Sequence, residues 1–369
     1  MSHNNNLTPL LNKNIILIRM GGEMGIKSRQ TRRRMLKNLH NNIKKLLKKY
    51  PSIEIINFRN RIIVHSEFKY DHNELVQLIT SSISGISSAS SALVVEAIEE
   101  RIISEGLFEA RKYIKPNSSF AVRAKREGSH SFSSIEIARN LGAAILNSQI
   151  ENIKVDLDEP DYQIYLDIRG PLAFIYNKIS RGIDGIPSLS QGKALALIKP
   201  NYNSLLSAWL MKKRGVKIIP IFFKTGKQNE KEYLTFLEFL FGEDFQIINL
   251  QDRLRHYKEN SSLCLLCQLY CEKFTEETSR DLDYFTIISS TTFNYNNETT
   301  SLEALEVLKK KNSLAVLRPI QLGFYGNTLN RKNIDGNPCC PYKSQVAIQI
   351  TKDFNKTCVK EFLEFNTID

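Results

Sequence analysis

The sequence has no apolar run that is long enough to cross a membrane. A transmembrane helix needs about 20 consecutive apolar residues, and no stretch of the 369 residues approaches that length. The polar N-terminal segment MSHNNNLTPLLNK also lacks the apolar region of a secretory signal. With 42% apolar and 24% charged residues, the composition is globular. We therefore expect a cytoplasmic protein of two or three domains that does not contact a membrane.

Cysteine is absent from the first two thirds of the chain. The six cysteines all follow residue 263, which argues against a disulfide framework spread over the fold. Cys264 and Cys267 form a Cys-x-x-Cys motif, and Cys339 and Cys340 follow about 70 residues later. This spacing allows three or four thiolates to converge on zinc or an iron–sulfur cluster. The alternatives are buried reduced thiols and a metal-free pair that carries a persulfide.

Acidic residues are missing where basic residues are densest. Residues 1–130 hold 22 Lys and Arg against 11 Asp and Glu, nearly the whole net charge of +12, and no acid occurs between residues 24 and 53. Uncompensated cations repel each other, which favours a phosphate-facing surface over a solvated helix face. Nucleic acid is the leading partner, and an anionic membrane is the weaker alternative. The predicted RNA-binding residues of this segment are Lys27, Arg29, Arg32, Arg33, Arg34 and Lys37.

The first 96 residues have the pattern of a ferredoxin-like domain. Apolar periodicity predicts strands at 15–19, 53–58, 61–65 and 91–96, and helices at 28–50 and 72–82. The order β, α, β, β, α, β is that of the ferredoxin-like fold. The serine-rich segment 83–90 reads as the turn before the last strand.

Residues 97–187 predict a second α+β domain. Helices are expected near 97–113 and 133–147, and strands at 119–123, 162–168 and 173–179. A basic cluster, Arg123, Lys125 and Arg126, begins at the end of the first of these strands, and Arg181 lies in a glycine-containing loop. We expect these four residues to bind RNA as well.

Residues 193–223 read as a strand, a helix and a second strand. In such a βαβ unit the turn after the first strand faces a crevice where a nucleotide phosphate can bind at the helix N-terminus. Here the turn is KPNYNS, residues 199–204, and it contains none of the glycines that let backbone N–H groups approach a phosphate.

The order of several motifs resembles a known family. FAVRAKREGSHSF (120–132), VDLDEPDYQIYLDIRGPLAFIY (155–176) and RGIDGIP (181–187) are similar to a THUMP domain, an RNA-binding module. With GKALALI (192–198), SAWLMKKRGVKIIPIFF (207–223), the Cys-x-x-Cys and VLRPI (316–320), the chain resembles the tRNA 4-thiouridine synthetase family, the ThiI-type tRNA sulfurtransferases. The resemblance implies a ferredoxin-like domain (1–96), a THUMP domain (97–187) and a Rossmann-like PP-loop domain with a parallel sheet (188–369).

The resemblance also implies ATP-dependent chemistry, and this chain has other residues at most positions of the family's ATP-binding loop. Family members use a Ser-Gly-Gly-Ile-Asp-Ser loop to bind ATP, adenylate a uridine of tRNA and then receive sulfur from a persulfide. At the matching positions only Ser204 is retained, Pro200 lacks an N–H donor, and Asn203 lacks the charge that magnesium favours. A second ATP-side element, aligned with 291–301, has also lost its glycine and glutamines.

We therefore expect ATP and magnesium binding to be lost and adenylation to be impaired. The alternative is an active sulfurtransferase with an atypical ATP site. The residues expected around the vestigial or atypical site are Leu197, Ile198, Lys199, Asn203, Ser204, Phe222 and Phe223.

The remaining expectations concern sulfur. The resemblance implies an iron–sulfur cluster on Cys264, Cys267 and either Cys339 or Cys340, and we take Cys340 as the third ligand. Cys339 and Cys340 are also candidate sulfur carriers. It also implies tRNA, a sulfur donor such as a cysteine desulfurase, and a second copy of the chain as partners. A third hypothesis is a metal or redox scaffold to which RNA binding is incidental.

Overall fold

The chain divides into two compact units, residues 1–185 and 186–369. The computed structural model describes residues 8–68, 70–227, 230–242, 244–259, 263–290 and 314–319. The division lies next to the domain limit predicted at residue 187, whereas the limit predicted at residue 96 falls inside the first unit. Among the described residues, no helix has the length and hydropathy that crossing a membrane requires.

The first unit alternates strands and helices. Its elements are β1 (Asn14–Met20), α1 (Gly22–Gly25), α2 (Arg29–Leu46), β2 (Ile53–Phe58), β3 (Arg61–Ser66), α3 (His72–Ser82), β4 (Ile86–Glu96), α4 (Glu99–Tyr113), β5 (Ser119–Glu127), α5 (Ser134–Leu146), β6 (Lys154–Val155), β7 (Tyr162–Arg169), β8 (Leu172–Tyr176) and β9 (Ser180–Arg181).

One sheet runs through this unit, in the order β2-β3-β1-β4-β8-β7-β5-β6, with β9 paired to β4. The first four strands are antiparallel to their neighbours and give the ferredoxin-like order. Strand β4 then pairs antiparallel with β8 and joins the two predicted domains. The ferredoxin-like prediction is confirmed, and the two domains share a single sheet.

Helix α2 is attached to the sheet by one apolar stripe. Met35, Leu39 and Ile43 recur every four residues and are fully buried. Burial of each such side chain contributes about 1.5–3 kcal/mol. Ser28 caps the helix by accepting a hydrogen bond from the Thr31 N–H at 3.3 Å. All the basic residues of α2 are therefore left outside the core.

The sheet is curled toward the face opposite α2. The rings of Phe58 on β2 and Phe174 on β8 lie 6.3 Å apart between centroids, although three strands separate β2 from β8 in the sheet. Both rings belong to one core that also contains Ile15, Leu17 and Ile63. The curl brings the β2–β3 turn next to β7 and β8.

Two sequence predictions for this unit were wrong in their limits. Strand β4 begins at Ile86, so most of the serine-rich segment is strand; Ser88 and Ser90 are buried, and the Ser90 hydroxyl accepts a hydrogen bond from Arg19. Strand β5 continues to Glu127, because it pairs with β7 over eight residues. Lys125 and Arg126, which were expected beyond the strand predicted at 119–123, therefore lie within β5 together with Arg123.

The second unit is an open parallel sheet with helices on both faces. Its elements are β10 (Lys193–Ile198), α6 (Tyr202–Lys213), β11 (Lys217–Lys224), α7 (Glu230–Phe241), β12 (Gln246–Asn249), α8 (Gln251–His256), α9 (Leu263–Asp281), β13 (Thr286–Ile288) and β14 (Ala315–Leu317). The strand order is β12-β11-β10-β13-β14, and all pairs are parallel.

This order places a topological switch point at the C-terminal ends of β10 and β13. The chain builds outward from β10 to β12 and then returns to add β13 on the other side of β10. A crevice at this position is the usual ligand site of doubly wound sheets. The predicted Rossmann-like parallel sheet is confirmed.

Candidate RNA surface and switch-point crevice

Helix α2 and the segment before it carry six predicted RNA-binding residues, and the structure leaves them available. Lys27, Arg29, Arg33, Arg34 and Lys37 are exposed, and Arg32 is half-buried. The buried stripe of α2 faces the sheet, so these cations project around the remaining surface of the helix. A surface of this kind attracts a polyanion without selecting its sequence.

The second basic group lies on β5 and β9. Lys125, Arg126 and Arg181 are exposed, and Arg123 is half-buried with its guanidinium bonded to the Leu157 carbonyl oxygen. Strand β9 pairs with β4, and Arg181 lies opposite Ser88. The structure therefore places Arg181 on a different strand pair from the β5 cluster.

The curl of the sheet adds a cation that sequence reasoning missed. Arg59, in the β2–β3 turn, packs its guanidinium on Gly170 in the β7–β8 turn; a Cβ on Gly170 would lie 2.5 Å from Arg59 Nε. His130 Nε2 lies 2.7 Å from the Gly170 carbonyl oxygen, and Arg126 Nη1 lies 3.4 Å from His130 Nδ1. Arg59 and Arg126 therefore belong to one basic patch that no local pattern indicated.

A buried ion network holds this patch in place. Asp167, whose side chain is 2% exposed, accepts hydrogen bonds from Arg61 Nε and Arg169 Nε, both at 2.8 Å. Arg169 also bonds Glu127 and the Arg59 carbonyl oxygen. Burial lowers the pKa of Arg61, and the carboxylate of Asp167 opposes that shift. The network ties β3 and the β2–β3 turn to β7.

In the second unit, the turn after β10 is closed by its own hydrogen bonds. Ser204 Oγ donates to the Lys199 carbonyl oxygen at 2.7 Å and accepts from the Lys199 N–H at 3.2 Å. The Asn201 side chain caps α6 by accepting from the Ser204 N–H at 2.9 Å. Ser204 is buried, and Asn203 is exposed. The backbone N–H groups of Lys199, Asn201 and Ser204 are thus bonded within the turn.

The Lys199 side chain turns inward to the switch point. It is 8% exposed, and its ammonium donates to Gln268 Oε1 of α9 at 2.5 Å. Gln268 Nε2 donates to Glu272 Oε1 at 2.8 Å and lies 3.4 Å from Ser289 Oγ, just beyond β13. Arg318, beyond β14, lies 3.5 Å from the same glutamate. We call Lys199, Gln268, Glu272, Ser289 and Arg318 the switch-point network.

The switch-point network was not predicted from sequence. Gln268 and Glu272 are four residues apart in α9, within the largely apolar segment LCLLCQLYCEKF, and both are buried. Two polar residues at this spacing on a buried helix face indicate an internal partner. That signal was available, although it did not identify Lys199 as the partner.

Four residues at the ends of β10 and β11, which were predicted to lie around a nucleotide, are instead in the core. Leu197 and Phe223 lie in the core beneath α8 and α9. Ile198 and Phe222 lie in the core beneath α6 and α7. Their side chains therefore pack on the two faces of the sheet and are not in the crevice.

The cysteines of the described residues lie along one helix. Cys264, Cys267 and Cys271 all belong to α9, and Cys267 and Cys271 are buried. The hydrogen bond from Cys271 lowers the pKa of Cys267 to about 6; burial opposes the shift and the Lys199 ammonium reinforces it. Within the described ranges, no group of three His, Cys, Asp or Glu side chains could hold a metal ion. Cys339 and Cys340, and the element aligned with 291–301, lie outside the described residues.

Comparisons with known proteins agree with the domain order. Residues 15–90 match the ThiI ferredoxin-like domain, and residues 108–177 match the THUMP domain. A probable tRNA sulfurtransferase of Methanosarcina mazei is 33% identical over 222 residues, 59% of this chain and 53% of that protein. A relative of the same description from Methanocaldococcus jannaschii is 28% identical over 322 residues, 83% of each chain. The chain is therefore similar to tRNA sulfurtransferases in its first two domains and over most of its length.

Solved structures share the fold of this chain. PH1313 from Pyrococcus horikoshii is 28% identical, with a TM-score of 0.63 over 84% of this chain and 94% of that chain. A 4-thiouridine synthetase–RNA complex with bound ATP is 20% identical, with a TM-score of 0.65 over 84% and 81%. The match to the M. mazei relative spans about half of that protein.

Proposed function

We propose that this protein binds tRNA through its first unit and takes part in tRNA thiolation, with adenylation by the chain itself impaired. The observation that supports tRNA binding is the pairing of a ThiI ferredoxin-like domain with a THUMP domain on a surface dense in uncompensated cations. The bound RNA and ATP of the 4-thiouridine synthetase complex belong to that protein. This proposal extends tRNA binding to the present chain.

Impaired adenylation is supported by the turn after β10. An ATP phosphate needs free backbone N–H groups and, with magnesium, a carboxylate. Here Pro200 has no N–H, and the N–H groups of Lys199 and Ser204 are bonded within the turn. The one cation of the turn, Lys199, is buried against Gln268. The residues present do not fit ATP, so we assign no step through it.

The tRNA proposal is tested by the salt dependence of binding. Each phosphate that a Lys or Arg neutralises contributes about −0.9 to the slope of log K against log salt on duplex RNA or DNA. If all ten predicted RNA-binding residues contact phosphates, the slope approaches about −9. Filter binding of tRNA over a series of salt concentrations measures it. A flat dependence would contradict the proposal.

The adenylation proposal is tested by pyrophosphate release. We expect no release from ATP and tRNA, and no heat of ATP binding in calorimetry. ATP- and tRNA-dependent release would instead establish the alternative, an active sulfurtransferase with an atypical site. Nucleoside mass spectrometry of tRNA from cells with and without the gene then reports involvement in thiolation, since loss of 4-thiouridine is expected.

The last part of the proposal concerns the source of sulfur and the roles of the cysteines. We propose that adenylation, where it is needed, comes from a partner, and that sulfur comes from a donor such as a cysteine desulfurase in the cytoplasm. A cluster on Cys264, Cys267 and Cys340, a sulfur-carrying role for Cys339 or Cys340, and a homodimer stay predictions. Anaerobic purification with iron and sulfide analysis tests the cluster, and a colourless, metal-free, folded protein would contradict it.

A further inference from the structure

A groove runs between α2 and β2 in the first unit. It has a volume of about 320 Å³, and its lining residues are Arg33, Leu36, Lys37, His40, Asn41 and Asn57. This size is at the lower end of small-molecule sites in proteins, roughly 300–1,000 Å³. Strand β2 is the first strand of the sheet order, so the groove lies at an edge of the sheet.

The sequence explains why one flank of α2 lines this groove. Its five lining positions on α2 follow the spacing i, i+3, i+4, i+7 and i+8, which is one face of a helix. That face adjoins the buried stripe of Met35 and Leu39. On β2, Asn57 and Phe58 point to opposite faces of the sheet. Phe58 packs in the curled core, so Asn57 is on the face that bears α2.

The polar side chains of the groove have no hydrogen-bond or ion-pair partner among the residues that the structure describes. Within the described part of the chain, Arg33, Lys37, Asn41 and Asn57 make no side-chain hydrogen bond or ion pair. The Nδ1 atom of His40 is buried and also has none. Arg33, Lys37, Asn41 and Asn57 are exposed to solvent, whereas buried polar atoms are normally satisfied. The unpartnered Nδ1 atom of His40, beside two cations in the groove, is therefore the observation that indicates a ligand.

The chemistry of the groove selects an anion. Arg33 and Lys37 supply two positive charges, and no acidic residue is among the lining side chains. Burial, reinforced by Lys44, lowers the pKa of His40, so the neutral ring offers one donor and one acceptor. Two amides add further donors and acceptors, and Leu36 adds apolar surface. Two cations beside neutral hydrogen-bonding groups suit a phosphate that is attached to a nucleoside.

We propose that this groove is a nucleotide subsite that takes one phosphodiester of the bound RNA together with its nucleoside. This inference rests on the proposed tRNA binding and makes it specific, because it separates Arg33 and Lys37 from the other cations of α2. Those two bind in a shaped groove with His40, Asn41 and Asn57. The other cations contact the RNA backbone from an open surface.

The test introduces a negative charge into the groove. Asn57→Asp places a carboxylate where the phosphate would lie. Asn73→Asp makes the same change of charge at an exposed position in the first turn of α3, which packs on β4. In tRNA filter binding we expect Asn57→Asp to weaken affinity at least about tenfold and Asn73→Asp to change it less than about twofold. Thermal melting by circular dichroism checks that both variants fold.

A second experiment distinguishes a phosphate of tRNA from a free phosphate or a free nucleotide. In nuclear magnetic resonance, tRNA should shift the His40 imidazole signal, while inorganic phosphate and adenosine monophosphate at the same concentration should not. Saturable binding of either small probe without competition by tRNA would overturn the RNA assignment. Equal tRNA affinity of the two Asp variants would overturn the groove inference and leave tRNA binding standing. Failure of the wild-type protein to bind tRNA would instead refute the proposed function.

Discussion

The buried ammonium of Lys199 gives the sharpest prediction about the second unit. We consider Lys199→Met, which keeps the length of the side chain and removes its charge and hydrogen bond. If the switch-point network is a closed structural unit, this change leaves Gln268 Oε1 without its donor and removes a cation close to the buried Glu272.

The magnitude follows from burial and geometry. Lys199 is 8% exposed, and its ammonium lies 2.5 Å from Gln268 Oε1. A hydrogen bond that involves a charged group contributes about 1.5–3 kcal/mol, and breaking a buried ionic network by removing one partner costs about 3–5 kcal/mol. We expect the free energy of unfolding of the second unit to fall by about 3 kcal/mol. Its melting temperature should fall by about 6–12 °C.

The chain offers a specific probe for this measurement. Trp209, in α6, is the only tryptophan in the sequence, so tryptophan fluorescence during denaturant unfolding reports the second unit. Lys231→Met, at an exposed position of α7, is the matched control and should change stability by less than about 0.5 kcal/mol.

A double-mutant cycle with Gln268→Leu decides whether the two residues act together. We expect the loss in the double variant to be smaller than the sum of the single losses by about 1 kcal/mol or more. If Lys199→Met costs less than about 1 kcal/mol and the two losses are additive, the ammonium is not held by the network. The turn would then be open to a phosphate, as the atypical ATP site requires.

Three further predictions concern other buried groups. Asp167→Asn removes the carboxylate between two arginines and should destabilise the first unit by about 3 kcal/mol, measured as unfolding by circular dichroism; an effect as small as that of a surface variant would refute the buried network. Burial lowers the pKa of Lys212 to about 8, so between about pH 8 and 10.5 the unfolded state binds more protons and stability should rise with pH; Lys212→Met should flatten that rise in Trp209 fluorescence. Because the Cys271 thiol lowers the pKa of Cys267, Cys271→Ala should raise it, measured by the ultraviolet absorbance of the thiolate against pH in a variant without the other cysteines; an unchanged titration would show that the hydrogen bond is not the cause.

Local sequence patterns were sufficient for most helices and strands. The stripe of Met35, Leu39 and Ile43 fixed which face of α2 is buried, and the apolar runs flanking residues 199–204 indicated a parallel βαβ unit. Serine preference for turns misplaced the start of β4, because burial of Ser88 and Ser90 between strands is a tertiary effect. The end of β5 was missed for a related reason, since its last residues are polar and are held by pairing with β7.

The sequence by itself determined the order of domains, the cationic segment around α2 and the loss of glycines from the turn at 199–204. These features depend only on residue type and on spacing along the chain, so they can be recognised without the fold. The tertiary structure decided which distant residues meet. Curling of the sheet brought Arg59 to Gly170 and Arg61 to Asp167, the fold placed Gln268 against Lys199, and the packing of α2 on an edge strand formed the groove around His40. Contacts between residues far apart in the chain depend on how complete elements pack, so no local pattern could have specified them.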